Sequence, residues 1–196
     1  NGVAVVTNPG AQGKGTLVVL NDEIHYARNV MKTNTTTVQT FVSINRGPAG
    51  VVNTGKIQWF EPMDRKVGPA TGFSVDALDK LPRVDVIYAH ANMSADLIDA
   101  AIKNGAKGLV IAGVGDGNMT TPALDAVTRA AKSGIVVVRS TRLASGITLR
   151  NNEVNDDEKG LVASGELNPA KSRVLLQLAL TKTNDPVQIQ KMFYEY

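Results

Sequence analysis

The chain has 196 residues, 43% apolar and 20% charged, with a formal net charge of +3, a make-up that fits a globular protein able to bury a sizeable core. Its basic residues are scattered among acids, so a sequence pI of about 9.2 does not point to nucleic acid. It contains no cysteine, which excludes disulfides, thiolate metal sites and a thiol nucleophile, and no apolar run of about 18 residues that would cross a membrane as a helix.

The opening Asn1-Gly-Val-Ala-Val-Val-Thr7 has neither an initiator Met nor a charged and apolar leader, and it reads as the interior of a longer chain. Residues 3–6 suit the end of a helix or of a strand. Asn8-Pro-Gly-Ala-Gln-Gly-Lys-Gly15 is a loop by its Gly and Pro content. Thr16-Leu-Val-Val-Leu20 predicts a buried strand, Asn21-Asp22 a turn, and Ile24-His-Tyr-Ala27 a second strand. Lys32-Thr-Asn-Thr-Thr-Thr37 is too polar and β-branched for a helix interior, and too rich in hydroxyls for an ordinary strand. Gly50-Val-Val52 and Lys56-Ile-Gln-Trp-Phe60 bracket Asn53-Thr-Gly55, the pattern of a hairpin. Residues 62–71 are rich in Pro, Gly and charge and suit a linker between domains.

From Val84 the pattern becomes regular. Val84-Asp-Val-Ile-Tyr88 predicts a strand. Ser94 is placed to cap a helix whose Leu97, Ile98, Ala101 and Ile102 share one face, with Gly105 ending it. Leu109-Val-Ile-Ala112 is the next strand. A helix follows with Thr121 as cap, Pro122 in its first turn, Leu124 and Val127 inward, and Gly134 as its stop. Ile135-Val-Val-Val138 is a third strand. A β-α-β-α-β series with short connections implies a parallel sheet. An apolar helix over residues 169–180 and a last helix opened by Asp185-Pro-Val-Gln188, with the spacing of a capping box, complete the chain.

Four groups of residues are candidates for chemistry. Gly113, Gly115 and Gly117 follow a buried strand and precede a helix, which is where open α/β sheets place ligands, so Asn118 is expected close to whatever binds. The run is not a dinucleotide fingerprint: that requires G-x-G-x-x-G and an acidic residue at the end of the next strand, where Arg139-Ser-Thr-Arg142 stands. A tight βα turn without ligand, or one holding a phosphorylated ligand, fits the same residues. His25 and His90 lie far apart without metal-ligand spacing, so a zinc site is not expected and both read as ordinary surface or half-buried residues. Lys32, in its run of threonines beside Asn34, is either part of a solvated loop or a lysine able to act as a base or to orient a hydroxyl nucleophile. Glu153 lies in the acidic stretch Asn151-Asn-Glu-Val-Asn-Asp-Asp-Glu158, by itself a solvated loop. Its place after the third parallel strand puts it on the same sheet edge as Asn118, where a carboxylate can capture an ammonium group.

Met31-Lys-Thr-Asn-Thr-Thr36, Leu81-Pro-Arg-Val-Asp85, Ala112-Gly-Val-Gly-Asp-Gly-Asn118, Val138-Arg-Ser-Thr-Arg142 and Leu167-Asn-Pro-Ala-Lys-Ser-Arg173 resemble bacterial type II L-asparaginases in order and spacing. Leu17-Val-Val-Leu-Asn-Asp-Glu-Ile24 and the final Gln188-Ile-Gln-Lys-Met-Phe-Tyr-Glu-Tyr196 do so as well. The resemblance implies a hydrolase that releases ammonia from asparagine, and more weakly from glutamine, through a threonine nucleophile and an acyl-enzyme, with no metal or cofactor. It implies a catalytic role for Lys32 within a threonine–lysine–aspartate group. It gives Asn118 and Glu153 to a neighbouring subunit's site, where they hold the α-amino end of the substrate. A dimer with shared sites, assembled into a homotetramer and exported to the periplasm or beyond, follows from the same resemblance. Asn118, in place of a serine, favours asparagine over glutamine.

The family's T-G-G-T-I-A-G and H-G-T-D-T motifs, which carry the nucleophile, a second threonine and the aspartate, do not occur in these residues. The sequence is therefore expected to fold as an α/β protein: the tail of a larger N-terminal α/β domain over residues 1–61, a linker over 62–80, and a small Rossmann-like C-terminal domain over 81–196. Alone it is expected to be inactive, holding Lys32, Asn118 and Glu153 as its share of the site. The alternative is a non-catalytic amino-acid-binding domain of the same fold. Neither nucleic acid nor membrane is expected as a partner.

Overall fold

A computed structural model describes residues 1–60 and 62–196, and divides the chain into two compact units, residues 1–73 with Tyr196 and residues 74–195. Glu61, where the sequence sets the end of the first domain, lies outside the described residues.

The first unit begins with a short helix, α1 (Gly2–Val6), which decides the ambiguous opening segment. Its main sheet is antiparallel, in the order β1 (Leu17–Leu20), β2 (Glu23–Tyr26), β5 (Gly50–Asn53), β6 (Lys56–Trp59). Both hairpins turn on two residues with positive φ, Asn21 (49°) and Asp22 (61°) in one, Thr54 (47°) and Gly55 (78°) in the other. That pair of angles matches the right-handed twist of the flanking strands. Val5, Ile24, Tyr26, Ala49 and Val52 form the core, with Leu17, Val19, Ile57 and Trp59 packed against it. The threonine run leaves this sheet: only Met31 and Lys32 pair, as β3, with β4 (Phe41–Val42).

The second unit is built on a four-stranded parallel sheet in the order β10 (Val162–Ala163), β9 (Val136–Thr141), β8 (Gly108–Gly113), β7 (Val84–Tyr88). Every residue of β8 and β9 is buried, which is why β8 and the first half of β9, Val136 to Val138, read as apolar runs. Side chains alternate across a strand. Leu109 and Ile111 thus join one core with Ile98 and Ala101 of α2 (Asp96–Lys103) and Val127 of α3 (Thr121–Lys132). Gly108 points the other way, where a Cβ would lie 2.7 Å from Leu176 of α5 (Pro169–Ala179). The missing side chain lets α5 sit against the sheet.

Several helix details differ from the sequence reading. Thr120, one residue before the expected Thr121, caps α3 by accepting from the Ala123 N–H. The α2 cap position falls on Ala95, and Ser94 accepts a single bond from the Asp96 N–H at 3.4 Å. Leu97 is exposed, so the buried stripe of α2 narrows to Ile98 and Ala101 with Ile102 partly covered. The acidic stretch also folds, as α4 (Asp156–Lys159) with Asn155 as its cap. Asp185 accepts from the Val187 N–H to start α6 (Pro186–Glu195). Gln190 of α6 bonds both backbone groups of Ala163, through Oε1 at 2.8 Å and Nε2 at 3.1 Å, and so stands in for the strand that β10 lacks at its outer edge. Among the described residues, no helix is long and apolar enough to cross a membrane.

Candidate functional site

β8 and β9 run parallel, so the segments that follow them leave the same edge of the sheet. After β8 the chain turns through Gly115 (φ 53°) and Gly117 (φ 78°) and closes a small hairpin. Val114 N–H donates to the Asn118 carbonyl, and Asn118 N–H to the Val114 carbonyl, each at 2.8 Å. A Cβ on Gly113 would lie 2.4 Å from the Gly117 carbonyl carbon, so the close approach of these two backbones requires glycine. The alternate glycines therefore build a hairpin. Asn118 stands exposed at its end, with the Met119 N–H bound to its Oδ1 at 2.8 Å. Its Nδ2 donates to Oε2 of Glu153 at 3.3 Å.

Glu153 is exposed as well, but the segment that carries it is firmly tied. Leu149 N–H donates to Asp116 Oδ1, and Asn152 Nδ2 to Asp116 Oδ2, each at 2.7 Å. Beneath them lies Arg139, fully buried on β9, paired with the equally buried Asp156. The guanidinium also donates to the carbonyls of Asp116 and Leu149, and Asp156 accepts from the Asn151 N–H at 2.8 Å. Beyond this, the Asn151 amide and then Arg150 hold the Asp157 carboxyl below its ordinary range. Sequence reasoning missed Asp116, Arg139 and Asp156. A signal for them was present: an arginine inside Val136-Val-Val-Arg-Ser-Thr141, an otherwise buried strand, requires a buried acid. The solvated reading of residues 151–158 fails at Asp156, which is 0% exposed.

Lys32 belongs to the first unit. It is exposed, opposite Phe41, with its Nζ 5.4 Å from the centre of that ring. The threonine run is folded back by Thr40, whose buried hydroxyl donates to the Asn34 carbonyl and accepts from the Asn34 N–H. Asn34 Oδ1 in turn accepts from the N–H groups of Thr36 and Thr37. His25 is buried on β2 between Ser43 (Nδ1 to Oγ, 2.9 Å) and Glu23 (Nε2 to Oε2, 3.2 Å). Burial pushes its imidazole below the usual value of 6.5, against the opposing pull of Glu23. His90 is exposed, with Nδ1 2.8 Å from the Ala91 carbonyl oxygen.

The glutaminase/asparaginase C-terminal domain profile matches residues 83–193, and the asparaginase N-terminal profile residues 1–65. The chain belongs to the asparaginase family. It is 50% identical over all of its length to "L-asparaginase 2" of Bacillus subtilis, covering 52% of that protein. It is 46% identical to "L-asparaginase 2" of Escherichia coli and 45% to "Probable L-asparaginase periplasmic" of Haemophilus influenzae, covering 56% of each. The chain thus spans about half the length of these asparaginases.

Proposed function

We propose that this chain is part of an L-asparagine amidohydrolase, which converts asparagine and water to aspartate and ammonia and is weaker on glutamine. The observation that carries the reading is the exposed Asn118–Glu153 contact at the carboxyl edge of the parallel sheet, in a chain of the asparaginase family. An ionised Glu153 is an acceptor for a substrate's α-ammonium group. Asn118 steadies that carboxylate from one side, because the Met119 N–H holds its Oδ1 and turns Nδ2 towards Glu153.

In this reading a threonine hydroxyl attacks the side-chain amide carbon, the C–N bond breaks and ammonia departs. Water then cleaves the acyl ester and releases aspartate. Lys32 serves the group that activates the nucleophile, while Asn118 and Glu153 serve the site of a neighbouring subunit in a homodimer, two of which form a tetramer. Periplasmic or secreted placement accords with the name of the Haemophilus relative, a probable periplasmic L-asparaginase.

The test is ammonia release from asparagine by a subunit that also carries the T-G-G-T-I-A-G and H-G-T-D-T motifs, beside these 196 residues alone. Turnover by the first and none by the second is expected. Binding of aspartate by the longer subunit without ammonia release would replace the enzyme with an amino-acid-binding domain.

A further inference from the structure

We infer that Asp116 is the positioning residue of this site, a latch that fixes Glu153 against Asn118. Glu153 lies far along the segment after β9, and the Asn118 contact at 3.3 Å is a long one for a charge-assisted bond. That bond alone does not fix the spacing of the two groups. The stronger ties surround it. Asp116 sits at the tip of the glycine hairpin, two residues before Asn118, and grips the second segment at Leu149 and at Asn152, the residue next to Glu153. Its own carbonyl is held from below by Arg139, which binds Leu149 too. One residue therefore joins both segments through its side chain and its backbone.

As the joint stands, a carboxylate meets both donors at once. Leu149 N–H and Asn152 Nδ2 are both donors, one to each oxygen of the carboxylate. An asparagine at this position would present one acceptor and one donor, and could keep both ties only if the Asn152 amide turned over to accept. Exchanging the two groups, Asp116→Asn with Asn152→Asp, again pairs one amide with one carboxylate. Asp116 is half-buried and outside the packed core, so its substitution spares the fold.

The inference rests on the proposed roles of Asn118 and Glu153 only for its effect on substrate. The experiment therefore follows geometry and binding separately. Amide exchange at Leu149 and the side-chain amide resonances of Asn118 are recorded in the folded chain with Asp116→Ala, Asp116→Asn and the Asp116→Asn/Asn152→Asp pair. Exchange at Leu149 is expected to quicken by at least about tenfold in Asp116→Ala. The Asn118 signals should shift with it, and the exchanged pair should bring both back towards the original. Unmoved Asn118 signals in Asp116→Ala, or failure of the exchanged pair to restore them, would overturn the latch. The same variants in the longer subunit should raise KM for asparagine with little change in kcat. If the resonances move while KM does not, the latch stands, and the substrate-binding roles of Asn118 and Glu153 are what fails.

Discussion

Arg139 and Asp156 meet at two points, Nε to Oδ1 and Nη2 to Oδ2, each at 2.7 Å, with neither side chain exposed to solvent. Together they join the third parallel strand to α4 and to both segments that carry the candidate site. Removing one partner strands the other charge in a dry interior, a loss of about 3–5 kcal/mol. Arg139→Met should therefore lower the melting temperature of the second unit by about 10 °C or more. Replacing both, as Arg139→Met with Asp156→Leu, should cost less than Arg139→Met alone. Calorimetry of both variants checks the ordering, and a double variant no more stable than the single one would contradict it.

Two glycines, Gly113 at the end of β8 and Gly115 after it, are present for different reasons. A Cβ at Gly113 would meet the Gly117 backbone at 2.4 Å, whereas at Gly115 nothing lies within 4 Å and only the positive φ resists a side chain. Gly113→Ala should cost about 1–3 kcal/mol or force the hairpin open. Gly115→Ala should cost about 1 kcal/mol. Denaturant midpoints of the two variants measure the gap, and equal losses would mean that the hairpin is not held closed at Gly113.

Burial lowers the pKa of His25 in the folded first unit, against the opposing pull of Glu23. The unfolded chain takes up a proton there as the pH falls below 6.5, so it binds more protons than the folded chain and stability must rise with pH in that range. The contribution is fully present above 6.5, declines below it, and levels off once the folded histidine is itself protonated. Melting curves between about pH 7.5 and about pH 5.5 should show this acid-side loss. It should shrink in His25→Gln. An equal loss in both proteins would assign the decline to other groups.

In the longer subunit, Glu153→Ala should raise KM for asparagine on the order of tenfold to a hundredfold, the range of one charge-assisted bond. An unchanged KM would argue against contact with the ammonium group.

Lys32→Met in the same subunit should lower kcat by about a hundredfold or more while KM moves little, the pattern of a group that assists proton transfer. Normal turnover would remove Lys32 from the mechanism.

Three strands of the parallel sheet were legible because they carry short apolar runs and their connections hold Gly and Pro at their ends, whereas β10, only two residues long, was not. The turn after β8 and the carboxylate on the same sheet edge were legible because parallel strands leave their loops on one side; that the turn closes as a small hairpin was not. Details set by single contacts were not. Whether Thr120 or Thr121 caps α3 depends on one 3.4 Å bond. Leu97 shares the apolar stripe of α2 in sequence yet lies exposed, which the spacing alone does not reveal. Asp156 looks like its acidic neighbours in sequence, and only the buried guanidinium 17 residues earlier distinguishes it.

The ties that hold the site are made largely to main-chain atoms: the carbonyl of Asp116, the N–H and carbonyl of Leu149, and the N–H of Asn151. Such an anchor is blind to the identity of the side chain it fixes. Leu149 is itself exposed, so its side chain can be exchanged without loosening the segment. The edge of the sheet is in this respect evolvable: a few charged residues set the frame, and the positions between them are free to try new ligands.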